Sequence, residues 1–208
     1  MTSFIADTLE PDRTALLLIE FQREWLDPTT GKLGHLMEDQ NQLRSSAMQS
    51  KRLLDMARLS GVHIVHVPCL YQVGYPEIAG GLEQGLFYAI PRAKTWIGEG
   101  SSFANGFEPK DGEFIVGGRV GASAFAHSNL DIFLRANKIK YLLLTGYALH
   151  VCVESTLRQG HDLGYSVMVV EDACAAFNME QQNYVLRHVI HHFGTAITVD
   201  QAQKLLKR

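Results

Sequence analysis

Three residues of unlike chemistry stand just beyond apolar runs in this chain. Glu20 closes "TALLLIE", Arg119 follows "EFIVGG", and Cys152 lies six residues past Gly146, where "KYLLLTG" has ended and a helix-period stretch begins. A thiol is a useful nucleophile only as its thiolate, and a helix N-terminus and a nearby guanidinium both favour that form. A carboxylate can take the thiol proton and pass it to a leaving amine. Backbone N–H groups of the turn from Tyr147 to Cys152 would face the same point and could hold an oxyanion. Together these are parts for acyl transfer. Cys152 also admits two blander readings, a metal ligand and a small buried hydrophobe, the second being the ordinary fate of a cysteine. The company of Glu20 and Arg119 favours the nucleophile.

Convergence of the three depends on the elements that carry them. Six short apolar runs, Thr14 to Glu20, Val62 to Pro68, Glu113 to Gly118, Lys140 to Gly146, Ser166 to Asp172 and Thr195 to Asp200, read as strands buried on both faces. Helix-period stretches lie between most of them: Asn41 to Leu59, Ser128 to Ala136, Val151 to Leu163, Met179 to Phe193, and a terminal Gln201 to Lys207. Alternation of this kind predicts an α/β fold, a parallel sheet covered on both sides with right-handed crossovers. In such a sheet the site lies beyond the C-terminal strand ends, where strand order reverses. Glu20, Arg119 and Cys152 all pass that filter.

The stretch from Cys69 to Lys110 is too long for an ordinary connection, and long loops in compact domains are usually functional. Its Tyr71, Phe87, Tyr88 and Trp96 are read equally as pocket lining or as staples holding the loop to the domain. With 208 residues and 46% hydrophobic content the chain can bury one sizeable core and shows no composition break, so a single domain over 1–208 is expected. Nineteen basic residues against 22 acidic leave a net charge of -3 with no basic stripe, which argues against a nucleic-acid partner. No apolar run reaches signal-peptide or membrane-span length, so a cytoplasmic protein with no membrane partner is expected. Cys69, Cys152 and Cys174 are an odd count at wide spacing, neither a disulfide framework nor a zinc pair.

The blocks "ALLLIEFQREWLDPTTGKL", "GRVGASAF" and "LLLTGYALHVCVESTLRQGHDLGYSVMVVEDACAAF" resemble, in order, the signature blocks of the isochorismatase-like cysteine hydrolases. The resemblance runs from about Thr14 to Thr198. It implies a three-layer α/β/α, Rossmann-like fold around a six-stranded parallel sheet, and a catalytic triad of Asp, Lys and Cys at three strand ends. It also implies a non-proline cis peptide at Tyr147–Ala148 and an oxyanion hole from the N–H groups of Ala148 and Cys152. By the same resemblance Tyr147, Leu149, Phe21, Trp25, Tyr71 and Phe125 are the expected substrate contacts. Glu20 stands where the family has Asp, and Arg119 where it has Lys. Both keep their charge, and the planar guanidinium could grip Glu20 with two donors. Leu149 and His150 replace a common Thr and Asp, so substrate contacts there differ from those of better-known members.

The implied activity is hydrolysis of an amide, ureido or similar C–N bond of a small molecule through a Cys152 acyl-enzyme. Vinyl-ether hydrolysis, which needs the acid and not the thiol, is the neighbouring alternative. A family member that keeps the fold for binding or regulation, with Glu20 and Arg119 as a structural ion pair, is the rival class. Family members commonly assemble through helices flanking the site, so a homodimer or larger even homo-oligomer is expected. No cofactor is implied. Nicotinamidase relatives hold a metal with an Asp and histidines after the second strand. Here that place reads "HVPCLYQVG", with no D-x-H, so no metal is expected. His188, His191 and His192 have helical spacing but no carboxylate or thiol to complete a ligand set, and read as a solvated helix face. "GGRVGAS" does not have the G-x-G-x-x-G spacing of a dinucleotide turn. Cys69 and Cys174 have neither a helix N-terminus nor a paired base and read as packing residues.

Overall fold

The protein was analysed as a computed structural model, which describes residues 8–206; the reading of the first seven residues as free of a targeting segment lies outside them, as does Lys207. Among the described residues six strands form one parallel sheet in the order β3-β2-β1-β4-β5-β6. They are β1 (Thr14–Ile19), β2 (His63–Val67), β3 (Phe114–Ile115), β4 (Tyr141–Tyr147), β5 (Ser166–Ala175) and β6 (Thr195–Ile197). The chain winds outward from β1 through β2 to β3, then returns to β4 beside β1 and winds the other way. The order therefore reverses between β1 and β4, where a doubly wound sheet opens a crevice.

Successive side chains of a strand face opposite sides, and β1 shows why its sequence is apolar without alternation. Leu16 and Leu18 enter the core beneath α2 (Gln40–Ser60) and α8 (Val199–Leu206), together with Leu53, Leu54 and Ala202. Ala15, Leu17 and Ile19 enter the opposite core with Leu130 and Leu134 of α4 (Leu130–Ala136) and Leu157 of α5 (Glu154–Asp162). The result is three layers, α/β/α. Helix α2 starts where the Asp39 carboxylate accepts the N–H groups of Asn41 and Gln42 at 2.9 and 3.1 Å, and stops at Gly61 with φ of +75°. Among the described residues no helix is long and apolar enough to cross a membrane.

Departures from the expected elements are local. The run Glu113 to Gly118 supplies only a two-residue edge strand, because the chain turns away at Gly117 and Gly118, the latter at φ +78°. The predicted strand Thr195 to Asp200 ends at Ile197, and Val199 already opens α8, with the Thr198 hydroxyl taking the Gln201 N–H at 3.2 Å. The stretch from Met179 to Phe193 is a continuous rod of α6 (Met179–Tyr184), a π-turn over Val185–Val189 and α7 (Ile190–Phe193). His188, His191 and His192 are exposed on it. Two helices escaped the periodicity, α1 (Arg23–Leu26) and α3 (Gly85–Ala93), because one is a single turn and the other sits among glycines with Pro91 inside it.

Candidate active site

Strand β1 delivers Glu20 to the crevice through a turn. Ile19 lies opposite both Val67 of β2 and Gly146 of β4, and the Glu20 N–H still donates to the Val67 carbonyl at 3.0 Å. At Glu20 the backbone then enters the left-handed region, φ 60°, which redirects the carboxylate. The neighbouring strand end requires glycine: Gly146 has φ +121°, and a Cβ there would stand 2.0 Å from the Ile19 carbonyl oxygen. Absence of that side chain lets β1 and β4 approach closely where they bring Glu20 and Cys152 to one place.

Arg119 arrives from the other side through the Gly117–Gly118 turn, and both it and Glu20 are nearly inaccessible, at 4% and 2% exposure. Its Nη2 donates to Glu20 Oε1 at 2.6 Å and to the Ala122 carbonyl at 2.6 Å, Nε donates to the Gly121 carbonyl at 3.1 Å, and Nη1 reaches the Val67 carbonyl at 3.5 Å. The two-donor grip expected from the planar fork is therefore not what forms. One nitrogen serves the carboxylate and the rest of the fork is spent on backbone carbonyls, which fixes the guanidinium plane. The second oxygen, Glu20 Oε2, accepts the indole N–H of Trp25 at 3.1 Å. Burial works against the charge on Arg119, but Glu20 and the neighbouring thiols outweigh it and hold its pKa above the ordinary value.

Cys152 sits in a π-turn, Leu149–Val153, that leads into α5. The Tyr147–Ala148 peptide just before it is cis, as the resemblance implies. The Ala148 carbonyl accepts from the N–H groups of Val151 at 3.0 Å and Val153 at 3.3 Å; the Cys152 N–H between them is not among its donors. The thiol is buried, and burial raises its pKa well above the ordinary value; the Glu20 charge adds to the rise, Arg119 opposes it, and hydrogen bonding to Glu20 raises it again. The cation expected beside the thiol is present, but desolvation and the adjacent carboxylate act against the thiolate that it and the helix N-terminus would favour. Cys69 and Cys174 are likewise buried, each pushed up to about 12 by desolvation first.

Glu20, Arg119, Cys69, Ala148 and Cys152 border one cavity of about 280 Å³. Trp25 and Tyr71 line it as expected, and so do Phe87 and Trp96. Four expected substrate contacts do not. Tyr147 is wholly buried, its hydroxyl 3.1 Å from Ser46 Oγ, and Phe21 stacks on Phe107 with centroids 4.4 Å apart. Leu149 is fully buried in the core on the other face, where Phe125 stacks on Tyr165 at 5.8 Å. Neighbouring positions on a strand end or tight turn point to opposite sides, so adjacency to Glu20, Arg119 or Cys152 in sequence does not place a side chain in the crevice. Tyr88 is 42% exposed and lies under the Arg92 guanidinium, 3.5 Å from its ring centroid, outside the cavity.

Sequence reasoning missed two organisers in "EFQREW". Gln22, fully buried, accepts the Cys69 N–H on Oε1 at 2.8 Å, while its Nε2 donates to the carbonyls of Cys69 at 2.9 Å and Ser101 at 2.6 Å. Glu24, also fully buried, accepts the Trp96 N–H at 2.9 Å and the Lys32 N–H at 2.9 Å. Both clamp the long 69–110 connection onto the turn after β1, so that Tyr71 and Trp96 face the site. The signal was weak: Gln22 and Glu24 directly follow the apolar run of β1, but the polar Arg23 between them, partly exposed, blurs any alternation. Missed as lining were Val120, Val151 and Phe177, with Ile90 on α3. His150 packs edge-on against Phe177 at 4.5 Å, and burial lowers its pKa.

The sequence profile of the isochorismatase domain matches residues 14–201. A ureidoacrylate amidohydrolase, RutB, of Caulobacter vibrioides is 31% identical over 178 residues, covering 79% of this chain and 78% of its own. A cysteine hydrolase from Pseudomonas syringae pv. phaseolicola superposes with a TM-score of 0.82 at 21% identity, over 99% of this chain and 98% of that one. An isochorismatase family protein from Burkholderia thailandensis gives a TM-score of 0.80 at 25% identity, over 97% and 99%. With its six-stranded parallel sheet and a family match spanning most of its length, the chain belongs to the isochorismatase family and is a hydrolase.

Proposed function

We propose that the protein is a cysteine amidohydrolase that cleaves a C–N bond of a small amide or ureido compound through a Cys152 acyl-enzyme. The observation that carries this reading is the shared cavity: a thiol, a carboxylate and a guanidinium, all buried, border one space of about 280 Å³. Because the thiol is protonated at rest, its proton passes to Glu20 as sulfur attacks the carbonyl carbon. The Ala148 and Cys152 N–H groups receive the developing oxyanion. Glu20 then gives the proton to the departing nitrogen, leaving a thioester. Water adds to the thioester, Glu20 takes a proton from it, and the thiol is reprotonated as the acid leaves. Arg119 keeps Glu20 oriented and offsets its charge through the cycle. The amidohydrolase named among the relatives supports the reaction class.

The test is mass spectrometry of the protein quenched during turnover of an amide and ureido panel. An acyl adduct on the peptide containing Cys152, with release of ammonia or amine, is the expected result. Product formation by a Cys152→Ala variant at the wild-type rate would remove the nucleophile from the reading. The structural-pair alternative has one observation in its favour: both Glu20 oxygens are engaged, by Arg119 and by Trp25. The active species is an even homo-oligomer, a reading supported by the exposed Leu70, Val73, Leu82 and Leu86 along the long connection. A monomer by light scattering at micromolar concentration would contradict that assembly.

A further inference from the structure

Beyond the reacting groups the cavity wall is hydrocarbon and aromatic, built by Trp25, Ile90, Trp96, Val120, Val151 and Phe177. Two of its polar edges are already engaged: the Trp25 N–H serves Glu20, and the Tyr71 hydroxyl donates to the Val120 carbonyl at 2.7 Å. Among the described residues that line it, Arg119 is the one cation, and it makes four hydrogen bonds to protein oxygens. A substrate carboxylate placed here would be stripped of water beside the Glu20 carboxylate and would find no free counter-charge, a costly arrangement. An apolar group meets the opposite situation, since most of the wall it covers is apolar too. The volume, that of about nine waters at about 30 Å³ each, suits a small acyl chain or a single ring.

We infer that the substrate is a small uncharged carboxamide whose acyl side is aliphatic or aromatic and carries no carboxylate. This rests on the amidohydrolase reading above, and it places an apolar carbon chain, instead of a ureido nitrogen, on the carbonyl that is attacked. The selectivity follows from the 69–110 connection and the Phe177 segment, which close an apolar wall over charged chemistry.

The experiment uses the full-length protein and measures ammonia release from acetamide, butanamide, hexanamide and phenylacetamide, each compared with a chain of equal length ending in a carboxylate. The kcat/KM value is expected to rise about 3- to 4-fold per added methylene until the cavity is full. The terminal carboxylate is expected to lower it at least 100-fold. Calorimetric binding of the same compounds to Cys152→Ala protein gives the second readout. If the carboxylated members are preferred, or if rate and binding are indifferent to acyl size, the inference is overturned while hydrolysis stands. If the amides bind in the apolar order and none is turned over by the unaltered protein, the hydrolase reading falls and the inferred ligand class stands. If none binds or reacts, both are overturned.

Discussion

At the scale of single residues the site turns on where one proton sits. Burial and Glu20 hold the Cys152 pKa well above the ordinary thiol value, so the thiolate is formed only as the proton moves to Glu20. The unliganded protein should therefore alkylate at Cys152 with iodoacetamide at pH 7.5 at least about 10-fold more slowly than an unfolded thiol, since the thiolate is the reactive form. Peptide mapping of the labelled protein checks this, and rapid labelling at rest would mean a preformed thiolate. The Glu20–Arg119 pair separates catalysis from structure. If Glu20 carries the proton, Glu20→Gln should reduce kcat by at least about 100-fold, whereas Arg119→Lys, which keeps the charge, should retain measurable turnover. If the pair is only structural, Glu20→Gln should cost about 3–5 kcal/mol by stranding the buried guanidinium while the folded fraction keeps normal specific activity. Melting and rate measured on the same preparation distinguish the two.

At the scale of elements, the turn after β1 is the organiser. Its residues alternate between chemistry and clamping: Glu20 meets Arg119, Gln22 holds Cys69 and Ser101, and Glu24 holds Trp96 and Lys32. Glu24 is buried, and its two oxygens accept backbone N–H groups, those of Trp96 and Lys32, which makes its replacement informative. Glu24→Gln keeps one acceptor and turns an NH₂ toward a donor, at a cost of about 1–3 kcal/mol. That loss falls on the 69–110 connection and not on the sheet. Limited proteolysis there should quicken, and KM should rise by a larger factor than kcat falls, because Trp96 lines the cavity without touching the thiol's proton path. Equal loss of kcat and kcat/KM would place Glu24 in the chemistry instead.

At the scale of the whole molecule, a second, partly buried charge cluster ties the sheet edge to α2. Arg58 grips both Glu113 oxygens at 2.6 and 2.9 Å, and His66 Nε2 lies 2.8 Å from Glu113 Oε2. Burial works against the Glu113 charge, but Arg58, the Lys110 N–H and His66 overcome it and bring its pKa down to about 2. Burial also lowers the His66 pKa, against the pull of Glu113. Both folded values lie below their unfolded ones, so both contributions have the same sign: full above the unfolded pKa and lost as pH falls. Tm should be level near pH 8, begin to fall below about 6.5 as His66 gains a proton on unfolding, and fall further between about pH 4.5 and 2 as Glu113 does. After allowance for solvent screening the carboxylate step is worth about 1–2 kcal/mol. Scanning calorimetry on the Glu113→Gln variant should show the lower step removed, and an unchanged profile would assign acid sensitivity elsewhere.

Strand and helix order were legible without coordinates, because a strand buried on both faces is an unbroken apolar run and its helices carry the 3.6 period. That alone placed Glu20, Arg119 and Cys152 at strand ends and predicted one crevice for them. Tertiary structure decided what linear order cannot carry. Phe21, Tyr147, Leu149 and Phe125 lie within six residues of a reactive residue in sequence yet do not line the cavity, since direction at a strand end is set by backbone turns such as the left-handed Glu20. The thiol's proton affinity depends also on burial and on a carboxylate 132 positions distant in sequence (152 − 20), neither of which linear order shows. The apolar wall was unreadable for the same reason: Trp25, Ile90, Val120 and Phe177 come from four separate segments, and only packing makes them one surface.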